Sequence, residues 1–155
     1  MTKHVFILGA TGYIGGAVLA RTKRTFPNWT FSALVRSDKN DAAVKAAGAE
    51  IVRGDHSSYD ASIPLIPLNR VSDMSLKLIR AEATKAEIVL ACADCDDVPL
   101  ARAVLDGLAA RVKEGKSQGI LVHTSGTGVV SDNSEGAWTE YAKKIWNVRL
   151  AIRTQ

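Results

Sequence analysis

The sequence predicts an α/β fold, a doubly wound parallel sheet with helices packed on both faces. Three observations lead there. Short β-branched runs alternate with helical stretches along most of the chain. The first strand passes directly into the glycine-rich turn Gly9-Ala10-Thr11-Gly12-Tyr13-Ile14-Gly15-Gly16. The 155 residues, 46% of them apolar, suffice for one core but not for two full domains.

His4 to Leu8 is an apolar run bounded by Gly9, the pattern of a strand buried on both faces. From Tyr13 to about Phe26, Ile14, Ala17, Val18 and Ala20 recur at helical spacing. Arg21, Lys23 and Arg24 fall in the last turn, where the helix dipole favours cations, and Pro27 ends the helix. Thr30 to Val35 is a second strand. Asp41 to Ala47 is an alanine-rich helix stopped by Gly48, a residue that readily takes a left-handed cap, and Glu50 to Arg53 is a third strand. The alternation continues with a helix around Leu76 to Lys85, a strand from Glu87 to Ala91, a helix from about Leu100 to Lys113 and a strand from Gly119 to His123.

Two segments break this rhythm. Residues 61–73 place Pro64 and Pro67 among Ile63, Leu65, Ile66 and Leu68 without periodicity, which predicts an irregular insertion. Trp138, Tyr141, Ile145, Val148 and Ile152 fall three or four apart, which predicts an amphipathic helix. The expected organisation is therefore a sheet domain over residues 1–130 and an atypical loop and helix over 131–155. No sixth strand follows, so the sheet is expected to be incomplete at the C-terminus.

Composition narrows the function. The net charge of +4 comes from small basic groups spread along the chain, which disfavours nucleic acid as a partner. No stretch approaches the ~18 uninterrupted apolar residues of a membrane span. The apolar start is too short for a signal sequence, and two cysteines cannot supply a disulfide framework, so a cytoplasmic location is expected.

A tight glycine turn between strand and helix lets backbone N–H groups and the positive end of the helix dipole face a pyrophosphate. Gly9 allows the turn, Gly12 lets phosphates come close and Gly15 lets helix pack on strand, the division of labour in dinucleotide sites. The spacing G-x-x-G-x-x-G is a shifted form of the usual G-x-G-x-x-G, and its weight comes from its place between strand and helix. A phosphate loop of the ATPase type needs Lys then Ser or Thr after the last glycine, and here Ala17-Val18 follow. At the end of the second strand an acidic residue grips a ribose hydroxyl, whereas arginine accommodates a 2′-phosphate. Arg36 stands there, which favours NADP over NAD. Asp38 is within reach of a ribose, and Arg36 also fits a solvated strand-end charge.

Taken together, Gly9-Ala10-Thr11-Gly12-Tyr13-Ile14-Gly15, Leu34-Val35-Arg36, Gly54-Asp55 and His123-Thr124-Ser125-Gly126 resemble the extended and atypical short-chain dehydrogenases, among them NmrA-like and epimerase/dehydratase-like proteins. The resemblance covers residues 1 to about 60 and 76 to about 130. It implies a Rossmann-like fold, a nicotinamide cofactor and, in complete relatives, hydride transfer at a carbonyl or hydroxyl carbon of a small-molecule substrate. By that resemblance Thr11, Gly12, Tyr13 and Ile14 cradle the pyrophosphate, Arg36 meets the adenosine ribose and Asp55 bonds the adenine edge. Asp55 also fits a turn-former. Ala91, Cys92 and Ala93 line the cofactor ribose or simply pack the strand end. Ser125 matches the residue that hydrogen-bonds a substrate carbonyl or hydroxyl.

The tail departs from that pattern. The family's proton donor is a Tyr with a Lys four residues on, whereas Tyr141 is followed by Lys143, Lys144 and Ile145. Tyr141 is thus the one candidate donor, but packing of the apolar stripe, in the core or in a homodimer, is the favoured reading of it. A non-catalytic dinucleotide sensor of the NmrA-like kind is the alternative function, and a poorly folding truncated product a third. The insertion and tail raise the expectation of a splice form or an imperfect gene model. Cys92-Ala93-Asp94-Cys95 lacks a second cysteine pair, and His4, His56 and His123 lack ligand-like spacing, so no metal is expected. Ser125, His123 and Asp132 do not form a hydrolase pattern, because no nucleophile elbow surrounds the serine.

Overall fold

The computed structural model describes residues 1–55, 73–126 and 140. Expectations for His56, for residues 61–72 and for the tail helix, Tyr141 included, lie outside the described residues. The chain divides into two compact units, Met1–Ser125 and Gly126–Gln155, and the fold that follows is that of the first.

Its elements are β1 (His4–Leu8), α1 (Tyr13–Thr25), β2 (Thr30–Val35), a 3₁₀ turn (Asp38–Asn40), α2 (Asp41–Ala46), β3 (Glu50–Arg53), α3 (Asp73–Lys85), β4 (Ile88–Ala91), α4 (Val98–Lys113) and β5 (Ile120–His123). The strands form one sheet in the order β3-β2-β1-β4-β5, with every neighbouring pair parallel. This is the doubly wound Rossmann-like sheet that the alternating pattern predicts.

Strand β1 lies at the centre because both of its faces are apolar. Phe6 and Leu8 join Leu34, Ile79, Ala83, Val89, Leu100, Val104 and Leu108 on the side covered by α3 and α4. Val5 and Ile7 join Leu19, Phe31, Ala33, Val35, Val44 and Leu90 on the side of α1 and α2. Each large side chain buried this way contributes about 1.5–3 kcal/mol.

Helix α1 forms where the apolar spacing predicts it, but that spacing does not mark its buried face. Its buried residues are Gly15 and Leu19, whereas Ile14, Ala17 and Ala20 are exposed and Val18 is only partly covered. The helix lies so close to β1 at Gly15 that the Gly15–Leu19 line, rather than the Ile14–Ala17 line, faces the sheet. Helix α4 begins at Val98 rather than Leu100, because the Asp97 side chain caps it by accepting from the Leu100 N–H at 2.9 Å. Pro99 fits that first turn, where a missing N–H costs nothing. Among the described residues no helix is long and apolar enough to cross a membrane.

The amino-terminal edge of the sheet is held by Arg111, which is 4% exposed. Its guanidinium donates to the Lys85 carbonyl at 2.9 Å, to the Ser117 carbonyl at 2.8 Å and to Glu87 Oε1 at 2.9 Å. Glu87 Oε2 accepts from the His4 backbone N–H at 2.6 Å. One side chain of α4 therefore ties together the starts of β4 and β1 and the turn before β5. Burial pushes the Glu87 carboxyl up, but the His4 N–H and the Arg111 charge together outweigh it, so the group titrates below its ordinary value.

Replacing Arg111 by Met keeps the stem and removes the donors, leaving the Lys85 and Ser117 carbonyls and the Glu87 carboxylate without this partner; the expected cost at neutral pH is about 2 kcal/mol in urea unfolding. A carboxyl whose folded pKa is lowered contributes stability that is complete above its unfolded pKa and is lost as pH falls through the folded value. The stability gap between wild type and Arg111→Met should accordingly narrow below the ordinary carboxylate range. A gap that stays constant down to acid unfolding would contradict this assignment.

Candidate functional site

In a parallel sheet all strands point the same way, so the residues just beyond them share one edge. That carboxyl edge collects, in strand order, Asp55 after β3, Arg36 after β2, the glycine turn after β1, Cys92 and Ala93 after β4, and Thr124 and Ser125 after β5. The chain crosses from β3 to β4, on the other side of β1, which makes the gap between β1 and β4 the topological switch point where such sheets bind ligands.

At that point the backbone is packed as closely as glycine permits. Gly9 has a φ of +80°. A Cβ on it would come within 2.5 Å of the Cys92 carbonyl oxygen, and a Cβ on Gly15 would come within 2.1 Å of the Gly9 carbonyl oxygen. Nothing but hydrogen fits at either position. The Gly12 N–H donates to the Gly9 carbonyl at 2.9 Å and closes the turn, and the Gly16 N–H donates back to the Gly12 carbonyl at 2.9 Å.

Gly12 is the N-cap of α1, has no side chain to cap it, and no acidic residue stands in the first turn. The first N–H groups of the helix, those of Tyr13, Ile14 and Gly15, have no partner within the helix itself. Thr11, Gly12, Tyr13 and Ile14 are all exposed, Tyr13 at 96%. An uncapped helix end with no acidic residue in its first turn suits an anion.

The flanking residues divide into two groups. Arg36, Asp55 and Ser125 are exposed at the carboxyl edge. Ala91 is buried in the core on the α3 and α4 side, whereas Cys92 and Ala93 are partly buried. Ala91 and Ala93, with Leu8, Leu100, Leu121 and His123, line a small apolar hollow under the ends of β4 and β5. The Thr124 hydroxyl donates to the Cys92 Sγ at 3.7 Å and ties those two strand ends together. Asp94, Cys95 and Asp96 bring their ligand-type atoms within 4.8 Å of one another, a turn explained by the Asp96 N–H donating to Asp94 Oδ1 at 2.9 Å.

Sequence reasoning missed one pair at this edge. Arg53, the last residue of β3, donates from Nη2 to both carboxylate oxygens of Asp41, at 2.7 and 2.6 Å, and from Nη1 to the Val35 carbonyl at 3.4 Å. Its signal is the register that places Val35 opposite Arg53, which no local pattern reveals.

A parallel sheet with an uncapped, glycine-lined helix end at its switch point defines a Rossmann-type protein with an anion-receptive turn. The particular lineage follows from comparison: the model of the NmrA-like family matches residues 1–96, and the chain belongs to that family. Oxidase ucsJ of Acremonium sp is 32% identical over 149 residues, a match that covers 95% of this chain and 38% of that protein. So wide a match reaches into the insertion and the tail. The solved structure of gox2253 is 17% identical with a TM-score of 0.54, covering 87% of this chain and 38% of its own, and likewise has this fold. The chain thus spans well under half the length of either relative.

Gly15→Ala is expected to cost roughly 2–3 kcal/mol in denaturant unfolding, because the new methyl group meets backbone that cannot swing away. Gly115→Ala is the control: its φ is +75° but nothing lies within 4 Å of its added Cβ, so it should cost only about 1 kcal/mol from backbone strain. Equal costs at the two positions would refute the close-packing role of Gly15.

Proposed function

We propose that this chain binds a nicotinamide dinucleotide, NADP(H) in preference to NAD(H), across the carboxyl edge of its sheet. The observation that carries the reading is the α1 N-terminus, held against β1 by Gly9 and Gly15 and left without a cap. Its first N–H groups and dipole would hold the pyrophosphate, with Thr11, Gly12, Tyr13 and Ile14 forming the cradle. Arg36 would pair with the adenosine 2′-phosphate, a guanidinium being the cation best matched to phosphate geometry. Asp55 would accept from the adenine edge, and Cys92 and Ala93 would leave space for the ribose.

The cofactor, when bound, supplies hydride transfer, and the name of the curated relative, an oxidase, agrees with redox chemistry in this lineage. Ser125 would donate its hydroxyl to a substrate carbonyl or hydroxyl. A second reading, a dinucleotide sensor that binds without turnover, is favoured by one observation: the residue four after Tyr141 is Ile145 rather than Lys. The cysteines Cys92 and Cys95, both free, fit a reducing, cytoplasmic setting.

Fluorescence titration with NADPH and NADH tests the proposal, followed by assay with aldehydes and ketones. Binding is expected, tighter for NADPH, and Arg36→Ala should weaken NADPH about tenfold, the size of one lost charge-assisted contact, while leaving NADH nearly unchanged. Failure to bind either nucleotide would falsify the cofactor reading. Binding with no turnover on any carbonyl substrate would favour the sensor.

A further inference from the structure

The loop between β2 and α2, residues 36–40, carries Arg36 and Lys39 and is exposed along its whole length. Loops of this kind are usually shaped by their own caps, but this one is not. Ser37 is the N-cap of the 3₁₀ turn and Asn40 the N-cap of α2, and neither side chain makes a capping hydrogen bond.

Within it the Asp41 N–H donates to the Asp38 carbonyl and closes the 3₁₀ turn, and both of its ends are held by β3. At the first, the Val35 carbonyl accepts from the Gly54 N–H at 3.3 Å and from Arg53 Nη1 at 3.4 Å. At the second, Asp41, the first residue of α2, is held by Arg53 Nη2 through both carboxylate oxygens. One guanidinium on β3 therefore grips both ends of the segment that presents Arg36. The Asp41 side chain is 25% exposed and that of Arg53 44%.

We propose that Arg53 and Asp41 form a positioning clamp that sets the Arg36–Asn40 loop for the adenosine 2′-phosphate and thereby sets the preference for NADP over NAD. The inference rests on the dinucleotide reading above. Held at both ends, the loop keeps the exposed Arg36, Ser37 and Lys39 within one short segment at the carboxyl edge, which a compact dianion could draw on. Released, it still carries the same groups but must order them on binding, and that entropic cost falls on the nucleotide that uses the loop. NADH has a hydroxyl in place of the 2′-phosphate and makes little use of them.

Charge alone and the clamp predict opposite signs at Asp41. Removing a carboxylate near a phosphate strengthens binding on Coulombic grounds, whereas removing half of a clamp weakens it. The test is titration of the full chain with NADPH and with NADH for wild type, Asp41→Ala, Arg53→Ala and the double variant, with thermal unfolding of each unliganded protein recorded alongside. Each single variant is expected to lose roughly three- to fivefold in NADPH affinity, the scale of one exposed ion pair, with NADH unchanged and the double variant no worse than the weaker single. Asp41→Asn, which keeps one acceptor oxygen, should lose less than Asp41→Ala, and it replaces the alanine variant if that protein does not fold.

Tighter NADPH binding by Asp41→Ala, equal losses for both nucleotides, or additive losses in the double variant each overturn the clamp. A wild-type chain that binds neither nucleotide overturns the dinucleotide reading itself. A wild-type chain that prefers NADPH, with variants that keep the same preference, overturns the clamp alone.

Discussion

The contact between Gly15 and the Gly9 carbonyl sets the geometry of the domain. With a Cβ excluded there, α1 lies directly on the end of β1, and its axis and starting point are fixed relative to the central strand. The other side of Gly9 is closed by the Cys92 carbonyl, so the turn is held between a helix and the end of β4. A backbone trapped on both sides has no freedom to drift. The N–H groups that open α1 are thereby aimed at the switch point without any side chain to direct them.

The central strand makes this placement durable. Val5, Phe6, Ile7 and Leu8 are fully buried, alternately on the two faces, so β1 cannot shift by one residue without exchanging its apolar partners on both sides. The register of β1 with β2 and β4 follows from that burial, and with it the order in which Asp55, Arg36, the glycine turn, Cys92 and Ser125 line the carboxyl edge. Placement of the candidate site is thus a product of core packing, while its chemistry belongs to loops that the core leaves exposed.

Most of the fold was legible because its signals are local. Strand runs, the helix stop at Gly48 and the glycine turn each depend on neighbouring residues, and among the described residues each element stands where its pattern put it to within a few positions. The buried face of α1 was not legible: alanines and an isoleucine suggested one stripe, but the near approach at Gly15, a matter of tertiary distance, selected another. Arg111 lay in plain view at the end of the stripe Leu100, Ala103, Val104, Gly107 and Leu108, though only the folded chain supplies the Glu87 and backbone partners that make a buried guanidinium tolerable. The Arg53–Asp41 pair depends on strand register, which the sequence encodes only through the whole sheet. Candidate residues after each strand were legible as strand ends; the tertiary contacts around them were not.

Arg111 secures the amino-terminal edge of the sheet, and the glycine turn occupies the carboxyl edge, a full strand length away. Effects at sites so separated usually combine independently. The domain therefore divides its labour: the Arg111 network braces one edge, and at the other the glycine turn is fixed while the exposed loops around it are at liberty to diversify. Within a family built on this plan, those loops can change in sequence without first being compensated in the scaffold beneath them.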